Sequence, residues 1–303
     1  MVRIVDNISD AKFITHSGTM HADEVFATAF LDLYFEDVSL IRVSEVPSNI
    51  KSDVIIYDVG KGNFDHHQID AKVRSNGIKY SSFGLLFEEY GIKYLEKLGL
   101  DKKEDVYNYF VKDLVEGIDA IDNGVFPLIE SSYKVKTVSD IIKLFNPSYL
   151  SNDDVNANFL KAVDIAKTII TYEIKNVYGK VMASFKVKEL LDSTNGPILV
   201  LDEFLPYEET ILSSSKYDKI KLVVYPSNRG GYAVKTVPIS SSDKTSRVYF
   251  PKAWGGVFNK KLEEVTGVKG ASFCHNNRFI LTADTFDAAL KLASITIDVN
   301  ETN

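Results

Sequence analysis

Residues 12–34 read KFITHSGTMHADEVFATAFLDLY, and this segment sets the architecture that we predict for the first half of the chain. Its first four residues are rich in β-forming side chains and predict a strand that ends at His16. From residue 22 to residue 34, apolar residues recur at helical spacing and predict a helix. Further strands are predicted over residues 39–43 and 53–57. This alternation is typical of βαβ units, so we predict an α/β fold whose N-terminal domain has a parallel sheet flanked by helices.

The clearest turn cluster of the chain is DSTNGP at residues 192–197. We place a domain boundary there, which gives domains 1–191 and 192–303, the second a smaller α/β domain. Helices of the first domain are predicted over residues 83–98 with a break near Gly91, 104–122, 137–145 and 153–178 with an extension toward 190. A hydroxyl of Ser81 or Ser82 is expected to cap the first of these, with anion binding at that N-terminus as the alternative. The second domain is predicted to contain strands 198–201, 220–225 and 231–237, a strand pair within 271–281, and helices near 208 and over 285–293.

The composition restricts the function classes. Lys and Arg number 35 against 42 Asp and Glu, and the net charge of −7 argues against a protein that coats long nucleic acids. A short anionic substrate is still compatible, because bound cations would supply local positive charge. The chain has one cysteine, hence no intramolecular disulfide, and no long apolar span. We therefore expect a cytoplasmic protein that does not enter a membrane.

Four of the five histidines lie in two acidic clusters, over residues 16–24 and 58–68. Imidazoles and carboxylates together are ligands that divalent cations recruit. His16 and Asp58 each follow a predicted strand, and open α/β sheets bind ligands beyond the carboxyl ends of their strands. The two clusters therefore predict a hydrolytic site with two metal ions, which would lower the pKa of a bridging water.

A third set of carboxylates lies at the end of the predicted helix over residues 104–122. Asp119 and Asp122 are three residues apart and share one face of that helix. The helix dipole disfavours carboxylates at this end unless a cation compensates, and a metal ion would do so. The alternative is a surface turn at residues 65–67 and a solvated helix face. The coincidence of all three sets favours the metal site, with either aspartate as the ligand.

The motifs resemble those of a known superfamily. Asp65-His66-His67 resembles the name-giving motif of the DHH phosphoesterases. Residues 16–24 together with 116–124 more closely resemble the Myg family of DHH-type metal-dependent hydrolases, and the resemblance covers nearly the whole chain. It implies a DHH-like catalytic domain, a smaller DHH-associated substrate-binding domain, and an active site with two divalent ions in the cleft between them.

The resemblance also implies the ligands of each ion. His16, His21 and Asp58 would hold one ion, and Asp23, His66 and Asp122 would hold the other, with Asp58 as the bridge. His67 would contact these ligands without binding a metal ion itself, or it would touch the substrate. The catalytic residues would be Asp58, His66 and His67. Asp122 is preferred to Asp119 because residues 122–126 resemble the superfamily's Asp-Thr-Gly-x-Phe segment.

One position departs from the superfamily pattern. Most members carry His-x-x-x-Asp-x-Asp in the first motif, whereas here His21 replaces the first aspartate and the spacing is one residue longer. An additional histidine makes the site less anionic and softer, which favours Mn²⁺, Fe²⁺ or Zn²⁺ over Mg²⁺. We expect Mn²⁺, with Mg²⁺, Fe²⁺ and Zn²⁺ as alternatives.

Two segments of the second domain are candidate substrate contacts. Arg229-Gly230-Gly231 offers a guanidinium and an approachable backbone to an anion, and it resembles the glycine-rich substrate loop of DHH-associated domains. A β-hairpin turn explains the same tripeptide equally well. His275 and Arg278 could anchor a phosphate, with a structural histidine as the alternative. Trp254 could stack on a base, although an isolated tryptophan is more often a core residue.

These features predict a metal-dependent phosphodiesterase that hydrolyses short RNA or DNA oligonucleotides as an exonuclease does, with a hydroxide activated by two metals. A second interpretation is a phosphohydrolase of a small phosphorylated molecule, such as pyrophosphate or a nucleotide, which the acidic net charge favours. A third is a non-catalytic regulator that binds a metal or a nucleotide. The sequence makes no prediction about the oligomeric state.

Overall fold

The computed structural model describes residues 1–301. Contacts divide the chain into two compact units, one over Met1–Gly179 and one that begins at Lys180. This division falls inside the longest helix, whereas the turn cluster at residues 192–197 begins in the last two residues of that helix. The elements of the first unit are β1 (Val2–Ile4), β2 (Phe13–His16), α1 (Ala22–Tyr34), β3 (Val38–Val43), β4 (Ile55–Ile56), α2 (Ser82–Lys97), α3 (Lys103–Phe110), α4 (Glu116–Asp122), α5 (Val138–Lys143) and α6 (Val155–Ser193), which continues into the second unit.

The strands of the first unit form a parallel sheet in the order β1-β3-β2-β4. In this sheet His16 pairs with Val43 of β3, and Ile14 pairs with Ile56 of β4. Parallel strands end at the same edge of a sheet, so His16 and the residues after Ile56 lie at one carboxyl edge. The predicted α/β class and the parallel sheet flanked by helices are confirmed.

Helices α1 and α2 pack against each other through aromatic side chains. Phe30 of α1 lies at the centre of this contact, with its ring centroid 5.1 Å from that of Phe87 and 5.6 Å from that of Tyr94. All three side chains are buried, and burial of each contributes about 1.5–3 kcal/mol. This packing fixes α1, and with it the N-terminal turn of the helix, which carries Asp23 and Glu24.

The predicted break near Gly91 is wrong, because α2 runs without interruption from Ser82 to Lys97. A Cβ atom at Gly91 would come within 2.9 Å of Cε1 of Phe87 and 3.0 Å of Cε2 of Tyr107. The glycine therefore serves close side-chain packing and does not end the helix. A glycine costs about 1 kcal/mol in a helix interior, an amount that packing on both of its sides can offset.

The predicted helix over residues 104–122 has a π-helical turn at its centre. α3 leads into this turn at Val111–Val115, and α4 continues from it to Asp122. Asn123 caps the helix and Gly124 follows with φ of 78°, as the Asn-Gly pair predicts. π-Helical turns often lie at functional sites, and this one directly precedes the helix that ends at Asp122.

The elements of the second unit are β5 (Ile198–Val200), α7 (Glu208–Leu212), β6 (Leu222–Pro226), β7 (Tyr232–Thr236), α8 (Asn259–Thr266), β8 (Ala271–Cys274), β9 (Ile280–Ala283) and α9 (Phe286–Glu301). Its strands form a mixed sheet in the order β5-β6-β7-β9-β8, in which β5 and β6 are parallel and the other pairs are antiparallel. Alternate residues of β6 belong to two different core clusters, so both faces of the sheet are covered. Trp254 is 4% exposed and belongs to one of these clusters, which favours the core interpretation of this residue.

Among residues 1–301, none of the helices combines the length and the apolar character that crossing a bilayer requires.

Candidate metal centre

The first part of the candidate centre is the turn between β2 and α1. Arg42 holds its beginning, since the guanidinium donates to the carbonyl oxygens of His16 and Gly18, each at 3.2 Å. Asn146 holds its end: the side-chain amide accepts from the N–H of Met20 at 2.8 Å and donates to its carbonyl at 2.9 Å. The turn is therefore fixed by side chains from distant parts of the first unit, and it presents His16 and His21.

Asp23 and Glu24 follow in the first turn of α1, and both are fully buried. The Glu24 carboxylate accepts the backbone N–H of His21 at 2.9 Å, which fixes the start of the helix. The Ser82 hydroxyl donates to Oδ2 of Asp23 at 2.8 Å, and Ser81 donates to a different aspartate, Asp119. The prediction that a hydroxyl of these serines caps α2 is wrong, because both hydroxyls bind carboxylates of other elements. The carboxylate of Asp119 instead accepts the N–H of Gly84 in the first turn of that helix.

Asp58 follows β4 in a left-handed conformation, with φ of 57°. Its backbone N–H donates to the carbonyl of Phe64 at 3.0 Å, which closes the loop after the strand. A non-glycine residue in this region is uncommon, although aspartate tolerates it better than most. The conformation places Oδ2 of Asp58 3.2 Å from Nε2 of His16 and Oδ1 3.2 Å from Nε2 of His66. One carboxylate thus joins the two histidine clusters, the arrangement expected of a bridging ligand.

His66 also contacts Asp122, one of the two aspartates at the end of α4. Its Nε2 lies 3.1 Å from Oδ2 of Asp122 and 3.7 Å from Oδ2 of Asp23. Asp119 is held elsewhere, because its Oδ2 forms an ion pair with Nη2 of Arg74 at 2.6 Å and its Oδ1 accepts the N–H of Gly84 at 3.1 Å. Of Asp119 and Asp122, the two candidate ligands of this helix, Asp122 is the one that contacts His66.

His67 lies beside this group with its side chain 60% exposed. Its Nδ1 is 2.6 Å from Oδ1 of Asp65 and 3.9 Å from Oδ1 of Asp58. A carboxylate accepts hydrogen bonds only, so Nδ1 of His67 carries the proton and Nε2 is the second ring nitrogen available for other contacts. By the same reasoning, Nδ1 of His16 donates to the carbonyl of Ser17 at 3.0 Å and leaves its Nε2 to face Asp58.

The two central histidines take a positive charge from their carboxylate neighbours. Burial disfavours this charge on His16, but Asp58 and Glu24 outweigh it and raise the pKa of His16 to about 11. Burial is likewise outweighed at His66, where Asp122 and Asp58 raise the pKa to about 11. For Asp58, burial would raise the pKa, but the two histidines hold it at about 2.

The surroundings of Asp23 and Glu24 disfavour the ionised form of both carboxylates. Burial, together with the nearby Asp58 and Asp122, raises the pKa of Asp23 well above its usual value. Burial also raises the pKa of Glu24. Buried carboxylates at such close range require positive charge, which protons or metal cations can provide.

The donor atoms fit divalent cations. Oδ1 of Asp23, Oδ1 of Asp58 and Nε2 of His66 are buried and make no hydrogen bond within the part of the chain that the structure describes. His66 Nε2 and Asp58 Oδ1 are 3.2 Å apart, yet they are not aligned for a hydrogen bond with each other. Once the proton of His66 is displaced, the lone pairs of these atoms converge as a bound cation needs. Triplets of ligand atoms within 4.8 Å of one another are His16-His21-Glu24, Asp58-His66-His67, His21-Asp23-Asp122 and Asp23-Glu24-Asp58.

Glu24 was missed as a metal-ligand candidate at the level of sequence. It belongs to two of the possible ligand triplets, and its Oε1 lies 3.3 Å from Nε2 of His16. The only signal in the sequence is its place next to Asp23 at the predicted start of a helix, where a capping role explains an acidic residue equally well.

The predicted substrate residues of the second unit lie at two ends of one strand. Residues 227–231 form the turn between β6 and β7, and residues 275–279 form the turn between β8 and β9. β7 and β9 are antiparallel, so the first turn adjoins Tyr232 and the second adjoins Thr236, about 13 Å away along the strand. Gly230 and Gly231 lie in the hairpin turn with Arg229, whereas His275 and Arg278 lie at the other end.

Local packing explains one of these glycines. Gly231 has φ of 64°, and a Cβ atom there would come within 2.3 Å of the carbonyl oxygen of Ala283. The close approach of two backbones therefore requires glycine at this position, without a ligand. Arg278 is also engaged, since its guanidinium donates to the carbonyl of Phe250 at 3.0 Å.

A protein-family model matches most of the chain. The family model MYG1_exonuc, described as Uncharacterised protein family (UPF0160), matches residues 12–297. The chain belongs to this family. The Myg membership that the motifs predicted is thereby confirmed.

Relatives of this Myg-family chain align over almost their whole length. The MYG1 protein of Schizosaccharomyces pombe is 28% identical over 317 residues, which cover 95% of this chain and 97% of the relative. The MYG1 exonuclease of Mus musculus is 28% identical over 320 residues, covering 93% and 84%. The MYG1 exonuclease of Homo sapiens is 26% identical over 318 residues, covering 93% and 85%. No solved structure matches the chain.

Proposed function

We propose that this Myg-family protein is a metal-dependent phosphodiesterase that removes nucleotides from short RNA or DNA oligonucleotides. The observation that supports it most is the position of the Asp58 carboxylate, whose oxygens lie 3.2 Å from Nε2 of His16 and 3.2 Å from Nε2 of His66. Oδ1 of Asp58 and Nε2 of His66 have no hydrogen-bond partner among the described residues. Relatives named MYG1 exonuclease support a nuclease-like hydrolase. We further propose the DHH-like arrangement, in which domain 1–191 is catalytic and domain 192–303 binds substrate.

In the proposed site, His16, His21 and Asp58 hold one divalent ion, and Asp23, His66 and Asp122 hold the other, with Mn²⁺ as the preferred metal. The nitrogen and oxygen donors, without a thiolate, suit Mn²⁺. When bound, two such ions lower the pKa of water and stabilise negative charge at phosphorus. Glu24 and Ser82 position the ligands, Glu24 through the start of α1 and Ser82 through its hydrogen bond to Asp23.

We assign proton transfer to His67. Asp65 accepts the proton on Nδ1 of His67 and thereby fixes the ring, which leaves Nε2 to exchange a proton with the substrate. The half-exposed position of the ring suits contact with a ligand that enters from solvent. Asp58 and His66 are the catalytic ligands, and His67 is the catalytic residue that does not hold a metal.

A small cavity beside the metal centre supports a nucleotide as the substrate. It has a volume of about 240 Å³, and its wall includes His21, Asp122, Phe126 and Lys143. Phe126 is 66% exposed and can stack on a base, a contact worth about 1–3 kcal/mol. Lys143 supplies a cation for a phosphate next to the metal ligands. This volume is below that of typical small-molecule sites, about 300–1,000 Å³, so the cavity has room for part of one nucleotide and not for a duplex, which favours an exonuclease.

The second unit supplies further proposed contacts. We propose that His275 and Arg278 bind a phosphate of the substrate. Arg229, Gly230 and Gly231, at the opposite end of β7, would bind a different part of a longer substrate.

The test is hydrolysis of a labelled trinucleotide with Mn²⁺, compared between the wild type and His66→Ala. We expect the variant to lose activity by about a hundredfold or more, because it removes a nitrogen ligand and unpairs Asp122. Phe126→Ala is expected to raise KM about tenfold with a smaller change in kcat, because stacking on the base is lost. The control is Glu89→Gln, an exposed carboxylate that pairs with Lys93 on α2.

The same assay distinguishes the alternatives. If Mn²⁺-loaded wild type hydrolyses pyrophosphate or a mononucleotide but not the trinucleotide, the protein is a phosphohydrolase of small molecules. If it binds Mn²⁺ and hydrolyses none of these compounds, the protein is a non-catalytic binding protein. Full activity of His66→Ala would contradict the proposed site.

A further inference from the structure

A pocket built wholly from residues of the second unit lies beside β7 and the β8–β9 turn. Its volume is about 560 Å³, and its wall includes Lys235, Lys244, Tyr249 and Phe279. Small-molecule sites typically have volumes of about 300–1,000 Å³. The size and composition of this pocket are therefore those of a ligand site. It adjoins His275 and Arg278, to which the proposed function assigns substrate contacts, but its wall is formed by other residues.

The charges of the pocket centre on Glu208. Its carboxylate contacts Nζ of Lys235 at 3.2 Å and Nζ of Lys244 at 2.9 Å. Burial would raise the pKa of Glu208, but the two lysines lower it below its usual value, so the carboxylate is ionised. Two ammonium groups against one carboxylate leave an excess of positive charge in a concave site. That excess is notable in a chain with a net charge of −7 and favours an anionic ligand.

The other wall of the pocket is aromatic. The Tyr249 ring lies 5.2 Å from the guanidinium of Arg278, and the Phe279 ring lies 4.6 Å from the ring of His275. Both aromatic rings are only partly buried, and both reach the pocket. Asn277, which is exposed, adds an amide that can donate and accept hydrogen bonds. A ligand that uses this wall needs a flat ring with polar edges.

We propose that the pocket binds a nucleoside 5′-monophosphate, with the phosphate between Lys235 and Lys244 and the base against Phe279 or Tyr249. Inorganic phosphate would use the lysines only, and a nucleoside would use the aromatic wall only. A nucleotide uses both walls at once, and its phosphate replaces Glu208 as the partner of the lysines. No metal ligand contributes to the pocket, so binding does not require a metal ion.

The test is calorimetric titration of the full chain with cytidine and adenosine 5′-monophosphates in the presence of EDTA. We expect saturable binding, and we expect cytidine and inorganic phosphate to bind at least about tenfold more weakly. Lys244→Ala should weaken binding about tenfold, because it removes one charge-assisted contact from an exposed position that is not needed for folding. Glu208→Gln should bind more tightly than the wild type, because the competing carboxylate is lost. Purely structural ion pairs would not produce this gain.

The matched control is Lys216→Ala, an exposed lysine of the same unit that pairs with Asp192 and should leave binding unchanged. The proposal is overturned if neither monophosphate binds, or if Lys244→Ala binds as tightly as the wild type. It is also overturned if His66→Ala abolishes binding in EDTA, since the nucleotide would then occupy the metal cluster. Loss of trinucleotide hydrolysis in His66→Ala with intact nucleotide binding would support both proposals separately.

Discussion

Asp58 combines an unusual backbone conformation with the central position in the candidate metal centre. Its φ of 57° lies in the left-handed region, where asparagine and aspartate are the most tolerated residues after glycine. Strained residues of this kind cluster at functional sites, where the surrounding structure maintains them. Backbone strain and ligand function can therefore be separated at this position by a substitution that keeps the conformation and removes the charge.

We expect Asp58→Asn to fold normally and to lose Mn²⁺ affinity by about a hundredfold, because the amide keeps the shape but not the charge of the bridge. Mn²⁺ titration measures the affinity, and thermal unfolding of the metal-free protein checks the fold. The control is Lys61→Asn in the same loop, where φ is 58° and the side chain is exposed. An Asp58→Asn variant that binds Mn²⁺ as tightly as the wild type would show that Asp58 is not a ligand.

Metal binding should depend on pH through the two central histidines. His16 and His66 have pKa values of about 11, so each holds a proton at pH 7 that a cation must displace. Asp58, with a pKa of about 2, is already deprotonated. Mn²⁺ affinity should therefore rise between pH 6 and pH 8, by up to about tenfold per pH unit for each displaced proton. Calorimetry in two buffers of different ionisation enthalpy measures the proton release, and an affinity independent of pH would exclude these histidines as ligands.

At the scale of the helices, substitution of alanine for Gly91 in α2 and for Gly117 in α4 should change the free energy of unfolding in opposite directions. Gly91→Ala should destabilise the protein by about 1–3 kcal/mol, because the new Cβ atom overlaps the rings of Phe87 and Tyr107. Gly117→Ala should stabilise it by up to about 1 kcal/mol, because α4 gains a better helix former and no atom lies within 4 Å of the new Cβ. Denaturant unfolding measures both, and equal effects would contradict the packing role of Gly91.

Elements with strong periodicity were predictable from the sequence. Helix α1 has the predicted bounds, because its apolar residues recur at helical spacing and those from Ala22 to Leu31 are buried. Helix α8 was not predicted: its sequence NKKLEEVT is mostly polar, and Leu262 is its one fully buried residue. Strand β1 was also missed, since three residues carry too little pattern to be recognised. Local propensity suggested a break at Gly91, and tertiary packing overrides it.

The sequence predicted those residues of the candidate site whose position follows from the order of strands and helices along the chain. His16 and Asp58 were identified because both follow strands of a parallel sheet, and the structure places their side chains 3.2 Å apart. Helical spacing alone left the choice between Asp119 and Asp122 open, because the two share a helix face, and the family resemblance favoured Asp122. In the structure Asp122 contacts His66, whereas Asp119 pairs with Arg74. The serine that binds Asp23 is 59 residues away in sequence, and no local pattern marks such a contact.

At the scale of the whole molecule, each proposed ligand belongs to one compact unit. Mn²⁺ should bind within Met1–Gly179, and a nucleotide in EDTA should bind within the unit that begins at Lys180. A ligand at 100 times its Kd stabilises the state that it binds by about 2.7 kcal/mol, which slows hydrogen exchange where opening releases the ligand. Mn²⁺ should therefore slow exchange in the first turn of α1 and in the loop over residues 58–67. The nucleotide should instead slow exchange in β7 and in the β8–β9 turn.

Hydrogen-exchange mass spectrometry with each ligand alone measures these patterns, and Lys244→Ala and Asp58→Asn are the paired controls. Lys244→Ala should remove only the protection that the nucleotide gives, and Asp58→Asn only the protection that Mn²⁺ gives. Each variant alters a side chain in one unit and leaves the ligand groups of the other unit unchanged, so the two effects should be independent. Protection of α1 by the nucleotide in EDTA would mean that the nucleotide binds the metal ligands directly, and the separate pocket would then have no ligand.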